Sequence, residues 1–201
     1  MSVLYCDADG NVHGKPPFEK AFTQAATLLV YLPNADTARS ILAYTNAKRV
    51  TAPNTSPLTW SNDLATLAQT RANYNLNDSV SKKTLSLTHG DLCLGSGSQC
   101  PNVGQNLAIE TGGTAASAAK NSVDGWYNEK SLWDRSKGDA FLSPAGHYTQ
   151  LMWKDTTQVG CAIASGTLNG QPLYSTACNY SPYGNVAGKF TTNVAAPLTP
   201  P

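Results

Sequence analysis

An α+β fold, a three-layer α-β-α sandwich around a mainly antiparallel sheet, is predicted for this chain by three observations. Helix-period patterns fill the first two thirds, strand patterns crowd the last third, and the two do not alternate as in a parallel α/β sheet. The sequence has 201 residues, the size of one domain, with 41% apolar and only 13% charged residues. That charged fraction is about half the ordinary value of ~25%, and neutral Gly, Pro, Ser, Thr and Asn replace it. A net charge of +1 and no basic run longer than Lys82-Lys83 leave no field for a polyanion, so nucleic acid is excluded as a partner. No run approaches 18 apolar residues, so no span of a membrane is expected.

Residues 1–36 form an N-terminal extension. It opens with acidic residues where a secretory signal would be basic. Within it, Phe18 to Leu32 places Phe22, Ala25, Ala26, Leu29 and Val30 on one helical face. A docked or flexible extension, a pro-segment and a displaced signal are the alternatives for it. The domain proper is expected over 37–190. Asp36-Thr37 can cap a first helix through Ile41 and Tyr44 towards Arg49, and residues 51–57 are a loop by composition. Ser61 caps a second helix with Leu64, Leu67, Ala68 and Ala72 on one face. Asn75 to Asn102 reads mostly as loop, and Thr114 opens a third helix carrying Trp126 and Glu129. Ser131 to Gly146 reads as an irregular loop that exposes Trp133 and Phe141.

The strands follow. His147 to Trp153 is β-rich and apolar on both faces, as in a covered strand. Gln158 to Ala164 and Leu173 to Tyr180 flank Asn169-Gly170, a hairpin turn signal. The Pro-rich tail, residues 191–201, is expected to be disordered.

The five cysteines favour an oxidising compartment. Four fall in the domain and allow three pairings. Cys93 and Cys100 flank a short loop, and Cys161 and Cys178 sit on the two hairpin strands, so bridges Cys93–Cys100 and Cys161–Cys178 are expected. Cys6 is left free or removed by processing. A metal site at His89-x3-Cys93-x6-Cys100 is the competing reading, weakened because the close cysteine spacing of zinc knuckles is missing. The sequons at Asn54 and Asn77 can carry glycans, whereas Asn179, in a strand, is expected to be bare.

No nucleophile elbow, Walker loop, dinucleotide fingerprint or H-E-x-x-H motif is present. The run Gly146-His-Tyr-Thr-Gln-Leu-Met-Trp-Lys-Asp-Thr156, then Val159-Gly-Cys161 and Cys178-Asn-Tyr-Ser-Pro-Tyr-Gly-Asn185, resembles the two signatures of the CAP superfamily. These are the cysteine-rich secretory, venom allergen-like and plant pathogenesis-related proteins. Asn46-x-x-Arg49, Thr88-His89-Gly90, Gly104-Gln-Asn-Leu107 and Trp126-Tyr-x-x-Glu129 fall in the family's order, and secreted fungal members are the most similar in pattern.

The resemblance implies a cleft of two His and two acidic residues, here His89, Gln105, Glu129 and His147. Gln105 departs from the family's usual G-E-N, so a divalent metal such as zinc on His89 and His147 is expected to bind weakly. Among functions, the resemblance implies a secreted carrier of sterols or fatty acids acting in host interaction or defence, with Tyr127, Trp133 and Phe141 as an aromatic-spaced capture loop; the alternative for Trp133 and Phe141 is that they only pin the loop onto the domain. A receptor-directed signalling or defence protein is the alternative, and a metal-dependent hydrolase the lesser one; no catalytic residue is assigned.

Overall fold

The computed structural model describes residues 5–6, 12–13, 34–90, 103–139 and 143–195. Near the amino terminus, β1 (Tyr5–Cys6) pairs antiparallel with β2 (Val12–His13). Helix α1 (Ala35–Arg49) comes next, then the short β3 (Thr59–Trp60) and the long α2 (Asn62–Lys82). The edge strand β4 (Gly104–Thr111) leads to α3 (Ala115–Asn128) and the short α4 (Gly146–Leu151). The hairpin β5 (Gln158–Leu168) and β6 (Gln171–Ser181) and the terminal α5 (Phe190–Asn193) complete the domain. The sheet order is β3-β5-β6-β4, with only the β3–β5 pair parallel. Helix α2 covers one face and α1, α3 and α4 the other, which is the expected three-layer α+β sandwich.

Strand alternation divides the core in two. Along β5, Val159, Cys161 and Ile163 face the α1/α3/α4 layer with Ile41, Val123, Trp126, Tyr148 and Leu151. Ala162 and Ala164 face α2, where they meet Ala68, Ala72, Leu107 and Ala177. The alanine-rich layer lets α2 lie close to the sheet. At Gly160 the approach is closest: a Cβ there would stand 2.2 Å from the Ala65 backbone nitrogen and 2.4 Å from the Ser61 carbonyl oxygen, so only glycine fits. The β5–β6 turn uses Asn169 at φ 50° and Gly170 at φ 77°, the left-handed pair that a two-residue hairpin requires.

Ser61 caps α2 as its sequence suggests, accepting from the Leu64 N–H at 3.3 Å, and Thr114 and Ser117 form a capping box at α3. Other expectations are corrected. The segment His147 to Trp153 is not a strand; it forms α4 and the turn after it. Tyr148, Thr149, Gln150 and Leu151 are all buried, and a helix buried on every side has no polar face to reveal its period. Both of its ends are satisfied from outside, by Glu129 and by Arg49 as described below.

Helix α2 runs on through Lys82 instead of ending before Asn75. Its polar residues Asn75 and Ser79 are buried and tie down the returning chain: Asn75 Oδ1 accepts from the Thr88 N–H at 3.1 Å, and Ser79 Oγ from the Ser86 N–H at 3.0 Å. The strand β4 was not marked by any expectation. At the other end, the tail was expected to begin at residue 191, yet Phe190 and Val194 are fully buried and the packed body continues to Ala195.

Arg49 ties the end of α1 to the segments before β3 and after α4. Its side chain is fully buried, and its guanidinium donates to the carbonyls of Ser56 (2.7 Å), Leu151 (2.8 Å), Trp153 (2.9 Å) and Thr156 (3.3 Å). Burial lowers its pKa to about 10, which still leaves it charged at neutral pH. Burial also pushes the nearby Tyr180 hydroxyl well above the usual phenol range, and that of Tyr148 to about 12.

Candidate functional site

The site lies at the edge strand β4, where consecutive residues point to opposite faces. Gln105 points to the α2 face, and its Oε1 lies 3.0 Å from His89 Nδ1. His89 is brought there by the Asn75 and Ser79 contacts that fasten Ser86 and Thr88. Asn106 points to the other face and donates to the His147 carbonyl at 3.0 Å. The dipeptide Gln105-Asn106 thus links the two histidines across the strand.

His147 opens α4. Its Nδ1 lies 2.6 Å from Glu129 Oε1, while Glu129 Oε2 accepts from the backbone N–H of His147 (2.9 Å) and of Tyr148 (3.2 Å). One carboxylate therefore orients the imidazole and satisfies two N–H groups that the helix start leaves unpaired. The His147 ring also stacks on Trp126, centroids 6.2 Å apart, and Trp126 is fixed by donation to the Leu107 carbonyl at 3.0 Å. The four residues of the expected cleft are thus arranged as two imidazole–partner pairs joined through β4. Among the described residues, no group of three or more His, Cys, Asp or Glu is placed to hold a metal ion.

Gln150 supports the site from beneath. Buried, it donates to Thr156 Oγ1 at 3.3 Å and accepts from the Gly184 N–H at 2.8 Å. Thr149 donates to Asn185 Oδ1 at 2.6 Å. These bonds tie the Gly146-to-Gln150 run to the Pro182-to-Asn185 run, so the two signature segments are one structural unit.

The expected capture loop is partly corrected. Trp133 is not exposed; it is 5% accessible and packs on Phe190 at 5.7 Å between centroids. The segment after it clamps α5: Arg135 donates to the carbonyls of Thr191 (2.8 Å) and Val194 (3.2 Å), and Asp139 Oδ1 accepts from the Thr191 N–H (2.7 Å) and hydroxyl (2.8 Å). The Thr191 bonds hold the Asp139 carboxyl below the usual carboxylate range. Trp133 pins this segment by packing on Phe190, whose ring Trp153 also meets, edge-on at 5.3 Å. Tyr127 is half-buried, edge-on to Tyr148 at 5.8 Å. Phe141 lies outside the described residues.

Cys161 and Cys178 stand directly opposite in register and are joined, with Cα atoms 4.1 Å apart. Cys93 and Cys100 lie outside the described residues, as does the Cys6 side chain. Asn54 and Asn77 are exposed, the latter on α2. Asn179 is fully buried and hydrogen-bonded at both ends of its amide, donating to the Leu64 carbonyl at 3.2 Å and accepting from Gln105 Nε2 at 3.0 Å. Its part in the site was missed in the sequence because it reads there only as a sequon and a motif residue.

This fold and its paired histidines define a class, and the chain belongs to it: residues 42–180 match the model of the cysteine-rich secretory protein family, CAP. Among curated relatives, Protein PRY2 of Saccharomyces cerevisiae is 37% identical over 79% of this chain and 41% of its own length. Pathogenesis-related protein 1B of Nicotiana tabacum is 34% identical over 66% of this chain and 68% of its own. The chain spans about half the length of several relatives it matches, between 41% and 58%. Among solved structures, Schistosoma mansoni venom allergen-like protein 4 shares the fold with a TM-score of 0.54 at 21% identity, over 74% of this chain and 89% of that one. NaASP2, solved with Zn2+, does so with a TM-score of 0.56 at 17% identity, over 82% and 87%. No helix among the described residues is long and apolar enough to cross a membrane.

Proposed function

We propose that the protein is a secreted lipid carrier that captures or exports a sterol or fatty acid, with the segment from Tyr127 to Gly146 as its ligand-facing part. The observation that carries this reading is Leu132, 53% exposed on a segment that the fold anchors at both ends. Val50, 63% exposed, adjoins Thr51, whose hydroxyl is 3.2 Å from that of Tyr127. The ammonium groups of Lys48 and Lys130 lie over the Tyr127 ring at 4.9 and 5.8 Å. Apolar side chains beside an aromatic ring with cations above it suit an amphiphile with one polar end. Trp133 anchors this segment by packing on Phe190, and Phe141 is assigned to the ligand-facing part from its place in the sequence. The buried Cys161–Cys178 bridge accords with an oxidising, extracellular setting, where Asn54 and Asn77 would be the glycosylated positions.

Binding of a fluorescent sterol and a fluorescent fatty acid to the full chain tests the reading. Leu132→Asp and Phe141→Ala are each expected to weaken binding by roughly 10–100-fold, since losing the burial of one large apolar side chain costs about 1.5–3 kcal/mol. His89→Ala with His147→Ala should leave binding nearly intact. Loss in the histidine variant with retention in the other two would reverse the assignment.

A second reading rests on the imidazoles. Both Nδ1 atoms are engaged by side-chain oxygens, which leaves the two Nε2 atoms to hold a divalent ion such as zinc, with Glu129 and Gln105 behind them. Two nitrogen ligands fit weak binding only. Gln105→Glu would add a charge behind His89 and is expected to tighten zinc by about 10–100-fold, while placing an oxygen against Asn179 Oδ1 at a cost of about 1–3 kcal/mol in stability. Calorimetric titration of Zn2+ into both proteins checks this; equal affinities would remove the metal reading.

A further inference from the structure

We propose that Asn179 is a positioning residue that fixes the proton of neutral His89 on Nδ1, acting through Gln105. The inference depends on neither the lipid nor the metal reading. Its starting point is the Leu64 backbone carbonyl, which can only accept a hydrogen bond. The Asn179 side-chain atom 3.2 Å from it must therefore be the amide nitrogen, Nδ2. That turns Asn179 Oδ1 towards Gln105, so the Gln105 atom 3.0 Å away must be its nitrogen. Gln105 Oε1 is left facing His89 Nδ1 at 3.0 Å, and two acceptors cannot bond, so Nδ1 carries the proton.

Backbone geometry enforces the relay. Gln105 and Asn179 are register partners of β4 and β6, both side chains point to the α2 face, and Asn179 is completely buried. Reversing the Asn179 amide would set its oxygen against the Leu64 carbonyl in a buried place, and reversing Gln105 would set its oxygen against Asn179 Oδ1. On the other face, the acceptor-only carboxylate of Glu129 does the same for His147, 2.6 Å from its Nδ1. Each imidazole in its neutral form is therefore left with Nε2 as an acceptor and no second ring N–H to donate. Free histidine prefers the opposite tautomer, with the proton on Nε2, so the arrangement has a spectroscopic signature.

Nitrogen-15 NMR of the full chain, well above the imidazole titration range, reads it, with the His89 signals assigned by their loss in His89→Gln. Wild-type His89 is expected in the Nδ1–H form. Asn179→Ala should release Gln105 and return His89 mainly to the Nε2–H form, and Gln105→Leu should do the same by removing the acceptor of His89 directly. If the alanine variant does not fold, Asn179→Ser replaces it, because a hydroxyl is too short to span both partners. The proposal is overturned if wild-type His89 is found as Nε2–H. It is equally overturned if His89 stays Nδ1–H in the folded Asn179 variant, since Gln105 would then need no help from Asn179.

Discussion

Replacing Arg49 with methionine is expected to destabilise the protein by about 3–5 kcal/mol. The guanidinium serves four carbonyls, of which that of Trp153 also accepts from the Thr156 N–H, and each buried acceptor left without a donor costs about 1–3 kcal/mol. Relief from burying a cation offsets part of that sum. Two of the carbonyls, on Leu151 and Trp153, belong to the end of α4 and the turn after it, so the loss also loosens the helix that carries His147. For a chain of this size, 3–5 kcal/mol corresponds to a fall in Tm of about 10 °C. Arg49→Lys should recover little, because one ammonium cannot reach four acceptors in the fork geometry. Urea unfolding of the three proteins measures the effect, and a loss under about 1 kcal/mol would show that the surrounding chain can rearrange to satisfy its own carbonyls.

Removal of the Cys161–Cys178 bridge by alanine at both positions should cost about 3 kcal/mol. The bridge closes a loop with a sequence separation of 17, and a loop of about 15 residues is worth about 3 kcal/mol through the entropy it removes from the unfolded chain. Both half-cystines are buried in the core layer with Trp126 and Tyr148, so alanine adds a small packing loss rather than relief. The stability of the wild type in strong reductant should fall towards that of the double variant. If reductant and substitution both leave the unfolding midpoint unchanged, the hairpin ladder alone sets the pairing and the bridge contributes nothing.

Much of the fold was legible in local chemistry. Ser61 and Thr114 announce helix starts because a side-chain oxygen must satisfy free N–H groups there. Asn169-Gly170 announces its hairpin because two successive residues need positive φ. The cysteines Cys161 and Cys178 could be paired because the strands and turn place them opposite one another. The resemblance to the CAP motifs named His89, Gln105, Glu129 and His147 as a cleft, though only as a set of names.

Other features depend on contacts between segments distant in sequence, and no local pattern encodes those. His147 to Trp153 carries strand-like residues, yet Glu129 at one end and Arg49 at the other make a helix the arrangement that pairs its backbone. Trp133 looks like an exposed loop aromatic until Phe190, from the far end of the chain, is seen to need cover. Asn75 looks like a loop residue until its amide is found holding Thr88. By itself the sequence determined which residues could cap, turn, bridge or ligate, because those capacities belong to single side chains and their neighbours. Which oxygen faces which nitrogen, from the Leu64 carbonyl through Asn179 and Gln105 to His89, was decided only when four elements met, because hydrogen-bond polarity is a property of the assembled network.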